Sequence, residues 1–540
     1  MPPKFKSKAK AKTNASNPQS EIEFLEAAEE FEQAGGKWRA GDPEKAARFF
    51  QRASQAYEQG LQRFPDSFDL AYNKAHLEYE ICEDERVAPY LHSTKTARLQ
   101  ETLTSHRRAL ALNSENLDIQ FNTGQVLSSL AEAFLENETE ASAKISARAF
   151  LEEAVELFTN CLVAQQQKYE QISSEIAELQ SQANNALSDS AAAMTEANAE
   201  VYSENDMEAS SASSTAGEWA TIEEPLTPEV ILETCTAQLS ALTTLIGLFD
   251  LGDLPALEQR AKTGLFTVNT SIPTLVSLQD TFPMSTVADE APGPTLSITS
   301  PSTEKDPRSS PKHDALLAAA IFQVAVAEVS YRSGSITSTQ YANTVSTLFS
   351  SLMQETQAPE QKVAQQSAYA DALLDVAEAV ADTSPDVETQ WNALSQAQHL
   401  LTQLCTPPNS AFLSAGRLAD VFIARAVTDL VRFNMSLLSE AKPAWKSSRN
   451  VLISNCGVFY RGAKSYAEKA GNTQLTRSAG ARAIVTEVLK QVNENGTDVI
   501  VAKAGWEEQG IEVKRVLEQM VNEKILGKRD GEEVLRIVTQ

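Results

Sequence analysis

SHRRALALNSENLDIQFNTG, residues 105–124, repeats AYEQGLQRFPDSFDLAYNKA, residues 56–75, without a gap. The alignment pairs Tyr57 with His106, Gly60 with Ala109, Leu61 with Leu110, Tyr72 with Phe121, Asn73 with Asn122 and Ala75 with Gly124. A third copy of the first half follows in LEEAVELFTNCLVA, residues 151–164, at Ala154, Phe158 and Cys161. In the first and third copies a small residue stands four before an aromatic and another three after it: Ala53, Tyr57, Gly60 and Ala154, Phe158, Cys161. Steps of three and four place side chains on one face of a helix. Small residues on that face let two antiparallel helices approach closely. A turn and an aromatic-Asn-x-small run then hand the chain on to the next pair. The fold class expected is all-α: a superhelical solenoid of stacked helix-turn-helix hairpins, with two disordered insertions.

These residues resemble the tetratricopeptide repeat, a helix-turn-helix unit of about 34 residues with small side chains at fixed crossing points and Pro near its end. Ala53-Tyr57-Gly60 and Ala154-Phe158-Cys161 stand where that family has its second-helix triplet, and Pro65 where it has its terminal Pro. Ala75 and Gly124 match the small residue of its first helix. The chain departs from the pattern in three ways: the first two copies lie about 49 positions apart, Ser114 replaces the Pro, and the first-helix Trp is missing. The resemblance is clearest over residues 43–164. The expected repeat-packing residues are Ala53, Tyr57, Gly60, Tyr72, Ala75, Ala109, Phe121, Gly124, Ala154, Phe158 and Cys161. Some members of the family clamp the C-terminal carboxylate of a chaperone with Lys and Asn on the inner helices. Here those positions are Tyr72, His76, Phe121 and Gln125, which do not supply that clamp.

The whole chain of 540 residues has a formal charge of −27 and is 42% hydrophobic. That balance suits a solenoid with one continuous core and disfavours nucleic acid as a partner of the whole surface; it attracts basic proteins. The five cysteines (Cys82, Cys161, Cys235, Cys405, Cys456) lie far apart on apolar helical patterns, which reads as buried thiols in a reducing compartment. MPPKFKSKAKAK at the start lacks the apolar core of a secretory signal. The best apolar run, LLAAAIFQVAVAEV from Leu316, is interrupted by Gln323 and Glu328. A cytoplasmic or nuclear protein, neither secreted nor in a membrane, is expected.

The expected organisation runs in six parts. Residues 1–20 are a disordered basic tail and 21–180 hold the repeats. Residues 181–225, with nine acids and no Lys or Arg, form a disordered acidic loop. Residues 226–280 continue the solenoid as a hairpin, opened by Thr227 as N-cap and Pro228. Residues 281–313, with six prolines, form a linker. Residues 314–540 are Ala-rich helical hairpins. Ile172, Ile176, Leu179 and Ala183 are spaced as the seam of a long helix lying on a neighbour.

Chemistry is sparse. GVFYRGAKS, residues 457–465, resembles a phosphate-binding P-loop, but Ala463 displaces Lys464 and Ser465, and Phe459 and Tyr460 suit a packed helix better. His76, His92, His106, His313 and His399 show no metal spacing, and His106 aligns with the core residue Tyr57. No cofactor, metal or small-molecule substrate is expected, and no enzymatic activity. Between Lys442 and Lys490 nine Lys or Arg face two acids. Lys446, Arg449, Arg461, Lys464, Lys469, Arg477 and Arg482 are the candidate polyanion-binding residues, with Tyr460 and Tyr466 to stack on bases.

The function expected is protein binding along the inner helices, sharpened by charge to a dedicated chaperone or assembly factor for a basic ribosomal or nuclear client. The alternatives are a scaffold subunit of a stable multiprotein complex, and an RNA-associated factor using the 442–490 patch.

Overall fold

The computed structural model describes residues 18–91, 93–137, 141–196, 226–281, 310–354, 358–383, 386–495 and 506–539, and every regular element among them is helical. The helices are α1 (Glu21–Trp38), α2 (Pro43–Arg63), α3 (Phe68–Glu83), α4 (Lys95–Leu112), α5 (Leu117–Asn137), α6 (Ala141–Glu196), α7 (Pro228–Gly247), α8 (Leu254–Phe266) and α9 (Ile272–Thr281). They continue with α10 (Pro311–Arg332), α11 (Ser338–Leu352), α12 (Pro359–Thr383), α13 (Val387–Leu404), α14 (Ala415–Ser436), α15 (Pro443–Lys469), α16 (Thr473–Asn495), α17 (Trp506–Asn522) and α18 (Lys528–Thr539).

Local chemistry sets where these helices begin. Ser20 and Glu23 form a reciprocal capping box before α1. Asp42 accepts the Lys45 N–H at 3.0 Å, and Pro43 occupies the first turn of α2, where its missing N–H costs nothing. Ser67, Thr94, Asp386 and Ser414 cap α3, α4, α13 and α14 in the same way. Each such cap contributes about 1 kcal/mol. Thr227 stands at the N-cap of α7 with extended backbone, but its side chain makes no capping bond.

The chain divides into two compact units, Met1–Leu248 with Phe266–Thr286, and Phe249–Leu265 with Val287–Gln540. Residues 226–280 are therefore not one hairpin. α7 stays with the first unit, where Gln238 donates to Thr159 of α6 at 2.9 Å. Gly264 of α8 lies against Phe322 of α10 in the second.

Within each unit consecutive helices pack antiparallel. In the first, Gly35 meets Phe50 while Gly60 meets Phe24, so α1 and α2 run in opposite directions. The α5–α6 pair repeats this, with Gly124 on Phe158 and Phe134 on Phe150. Alternate helices also touch, α1 with α3, α3 with α5 and α5 with α7, so hairpin stacks on hairpin. In the second unit Trp391 of α13 stacks on Trp445 of α15 at 4.5 Å, and α10 touches α12. Stacked helical hairpins are thus the architecture of both units.

The repeat residues occupy the crossings. Ala53, Tyr57, Gly60, Ala75, Ala109, Gly124, Ala154, Phe158 and Cys161 are buried, and Tyr72 and Phe121 are half-buried. A Cβ on Gly60 would stand 3.0 Å from Phe24 and Leu70, and one on Gly124 only 2.7 Å from Phe158. These are positions of close helix approach.

α6 departs from expectation. Its backbone stays helical to Glu196, taking in residues 181–196 of the stretch expected as acidic loop; residues 197–225 lie outside the described residues, as do 1–17 and 282–309. Of the anticipated seam, the side chains of Leu179 and Ala183 lie outside the described ones, Ile172 is half-buried and Ile176 is 49% exposed. The reason is length. α5 begins at Leu117, whose carbonyl lies level with Cys161, so α6 outruns its partner before the seam begins.

Candidate functional site: the face of α1, α3 and α5

In the first unit α3 lies between α1 and α5, and all three contribute polar groups to one face. Along α3, Phe68, Tyr72 and His76 form a ladder at i, i+4 spacing. Phe68 and Tyr72 have ring centroids 5.6 Å apart, and Tyr72 and His76 lie 6.1 Å apart with planes within 1°. These rings are half-buried, not core. Burial raises the Tyr72 hydroxyl, Asp118 of α5 adds to that, and a hydrogen bond with Asn122 opposes it. One turn further Tyr79 shares a hydrogen bond with Ser129 at 3.1 Å, and burial pushes its hydroxyl up to about 12.

Carboxylates surround this ladder. Glu32 of α1 accepts the Tyr57 hydroxyl at 2.7 Å. Burial, helped by Glu80 and Glu29, pushes its carboxyl up to about 7 despite that hydrogen bond. Asp69 is raised by burial and by Glu21. Glu132 is raised by burial and by Glu83 and Glu136, against the pull of Lys95. Arg39 is the counter-cation at one end, bonding Asp84 and reaching Glu80 at 2.9 Å. The result is a half-buried aromatic strip flanked by carboxylates that repel one another.

The basic stretch is dispersed by its own fold. Lys442 pairs with Glu388 at 2.7 Å, Lys446 and Arg449 bond the carbonyls of Ser439 and Ser436, and Lys464 sits 3.9 Å from Glu468. Lys469 lies over the Tyr466 ring at 4.7 Å. Arg482 is 7% exposed and pairs with Glu523, so it is a core residue and not part of a polyanion surface. Tyr460 is fully buried, and Tyr466 is half-buried and stacked on Phe422 at 5.3 Å; neither is free to take a base. A signal for Tyr460 existed: Cys456, Tyr460, Ala463 and Ala467 recur at four, three and four, the mark of a buried stripe. Arg461 and Arg477 remain exposed.

Residues 457–465 lie in the middle of α15, where backbone N–H groups are spent on the helix, and a Cβ on Gly462 would stand only 2.8 Å from the Phe422 ring. His106 is wholly buried, with Nδ1 2.9 Å from the Thr102 carbonyl, and burial holds the imidazole down to about 4. Cys82, Cys161, Cys235 and Cys456 are buried free thiols and Cys405 is half-buried. Burial pushes Cys161, Cys235 and Cys456 up to about 12, so they are not poised as nucleophiles. Two helices, α7 and α10, are long and apolar enough to cross a bilayer by length and composition, and about half of each such window is buried in the fold.

Fold and site together define an all-α protein of stacked helical hairpins with an acidic, aromatic face. No family model matches the chain. It is 30% identical over 161 residues to the UPF0656 protein C926.02 of Schizosaccharomyces pombe, a match covering 28% of this chain and 35% of that protein. The chain thus spans about a third of the length of this curated relative. A solved structure, a circular tandem repeat protein with novel repeat topology and enhanced subunit contact surfaces, aligns over 96% of this chain and 97% of its own. Its sequence identity is 13% and its TM-score 0.26, a likeness that carries no argument about shape or activity.

Proposed function

We propose that the chain is a protein-binding helical-repeat protein that takes a basic segment of another protein on the α1–α3–α5 face, as a dedicated chaperone or assembly factor for a basic client. The observation that carries this reading is the crowding of Glu29, Glu32 and Glu80 around a half-buried site that Arg39 neutralises only in part, by pairing with Glu80 at 2.9 Å. A Lys or Arg brought there relieves the remaining repulsion, and the Tyr72–His76 stack offers it an aromatic surface. The net charge of −27 supports the same choice by steering basic partners inward over long range.

The test is affinity purification of the tagged full-length protein from its own cells, eluted in rising salt, beside a Glu29→Lys/Glu132→Lys variant. Both positions are exposed, so the variant should fold. A basic protein that elutes at moderate salt and is lost with the variant supports the reading. A fixed set of partners that survives high salt and ignores the variant points to a scaffold subunit of a stable complex.

A further inference from the structure

The second unit carries a different docking surface, along α12. Asp371, Asp375, Glu378 and Asp382 follow one another at steps of four, three and four, which puts them in a row on one side of the helix. Glu328 of α10 faces this row and bears on Asp375. The ends of the row are neutralised: Asp382 by Lys524 at 2.6 Å and Arg332 at 3.6 Å, Asp371 by Arg417 at 3.4 Å. Glu328 is taken by Arg332 at 2.7 Å. Asp375 and Glu378, in the middle, make no ion pair within 4 Å among the described residues, although Arg332 bears on Asp375 and Lys524 on Glu378 from further off.

Two further observations point outward from this row. Tyr331 and Tyr341 stack at 5.6 Å beneath it, 4% and 0% exposed, and neither hydroxyl has a hydrogen-bond partner among the described residues. The Tyr341 hydroxyl feels Glu328, Asp375 and Arg332, so an unsatisfied polar atom stands beside the unpaired carboxylates. An orphaned buried hydroxyl beside like-charged carboxylates is an unfavourable arrangement, and a cation settling on the row above it eases the carboxylate part. Towards the other end of α12 an open depression of about 370 Å³ has Val363, Ala364, Ala368, Phe412 and Leu413 as its apolar lining and Glu360, Ser367, Asp371 and Arg417 as its polar lining. Its size and apolar lining suit one large apolar side chain. From Ala364 to Asp375 the helix rises about 16 Å.

We infer that this surface docks one segment of a partner protein, carrying a large apolar residue for the depression and Lys or Arg about 16 Å further on for Asp375 and Glu378. The inference shares with the proposed function the idea of a basic protein partner, but it rests on other residues in the other unit. The ammonium or guanidinium pairs with Asp375 and Glu378 on the exposed side of the row. The apolar residue sets the register.

The test is fluorescence anisotropy of full-length protein with two fluorescein-labelled peptides, each with one Phe and a pair of Lys. The spacing is about five residues in one peptide, for an extended chain, and about eleven in the other, for a helix. Controls replace Phe by Ser, or both Lys by Glu. Ala364 and Glu378 are exposed, so Ala364→Trp and Glu378→Lys should leave thermal unfolding in place. One peptide should bind saturably. Glu378→Lys should weaken it at least tenfold. Ala364→Trp should weaken the Phe peptide at least fivefold and leave the Ser control unmoved. Glu29→Lys/Glu132→Lys should have no effect, which separates this surface from the first. Absence of saturable binding by both peptides, or equal binding by wild type, Ala364→Trp and Glu378→Lys, overturns the inference.

Discussion

Replacing Gly124 by Ala adds one methyl group to the middle of α5, and on helix propensity alone it should stabilise by about 1 kcal/mol. The structure reverses that sign. The new Cβ would lie 2.7 and 2.8 Å from the Phe158 ring, closer than real Cβ atoms come to any neighbour. Phe158 is 1% exposed and is held edge-to-face by Phe121 at 5.7 Å, so the ring has no free direction to swing. Overpacking of this kind costs about 1–3 kcal/mol. Set against the propensity gain, the net is a loss of about 0–2 kcal/mol, where propensity alone gives a gain. Gly36 is the control: it is also helical, a Cβ there meets nothing within 4 Å, and Gly36→Ala should stabilise by about 0.5–1 kcal/mol. Phe158→Leu gives the second arm of a double-mutant cycle. If the clash is with the ring, the double variant should be more stable than the two single losses predict, by about 1 kcal/mol. Urea unfolding followed by far-UV circular dichroism measures the wild type and all four variants. Gly124→Ala as stabilising as Gly36→Ala, or an additive cycle, would refute close packing at this crossing.

Arg39→Ala should cost about 2–3 kcal/mol in urea unfolding, because it strips Asp84, whose side chain is only 6% exposed, of its cation; a change under about 0.5 kcal/mol would make the pair a surface contact. Glu32 folds with its carboxyl raised from 4.5 to about 7, so the folded state takes up a proton and stability is lost as pH rises between those values. The loss is at most about 3 kcal/mol and less where solvent screens the group. Glu32→Gln keeps an acceptor for Tyr57, so it should match wild type near pH 4 and exceed it at pH 8; parallel pH profiles would contradict the assignment. Arg482→Ala should lose about 3 kcal/mol by thermal unfolding, whereas Arg461→Glu, at an exposed position, should change stability by less than about 0.5 kcal/mol.

What could be read in advance follows from the range of the forces involved. Asp42-Pro43 and the small residues at 60, 75, 109 and 124 act through their own helix or the next one. Caps and crossings were therefore legible in the spacing. The length of α6 was not, because the acidic, Ser-rich composition of residues 181–196 signals little apolar surface to bury, while their Ala, Glu, Gln and Leu carry helix propensity that needs no burial. The cations of 442–490 cluster along the chain, but charge pattern alone does not say which faces α15 and α16 give to the core. Arg482 and Tyr460 turned inward for that reason. Glu32, Glu80 and Tyr57 belong to three different helices, and only their packing brings these groups together. The candidate face was invisible in the sequence beyond its overall negative charge.

The most direct test of the central claim is hydrogen–deuterium exchange of the full-length protein with and without the partner that elutes at moderate salt. Binding on the acidic, aromatic face predicts slowed exchange in α3 and α5, centred on Tyr72 to Tyr79 and on Asn122 to Ser129, and its loss in Glu29→Lys/Glu132→Lys. Protection confined to α15 and α16, with none in α3 or α5, would contradict it.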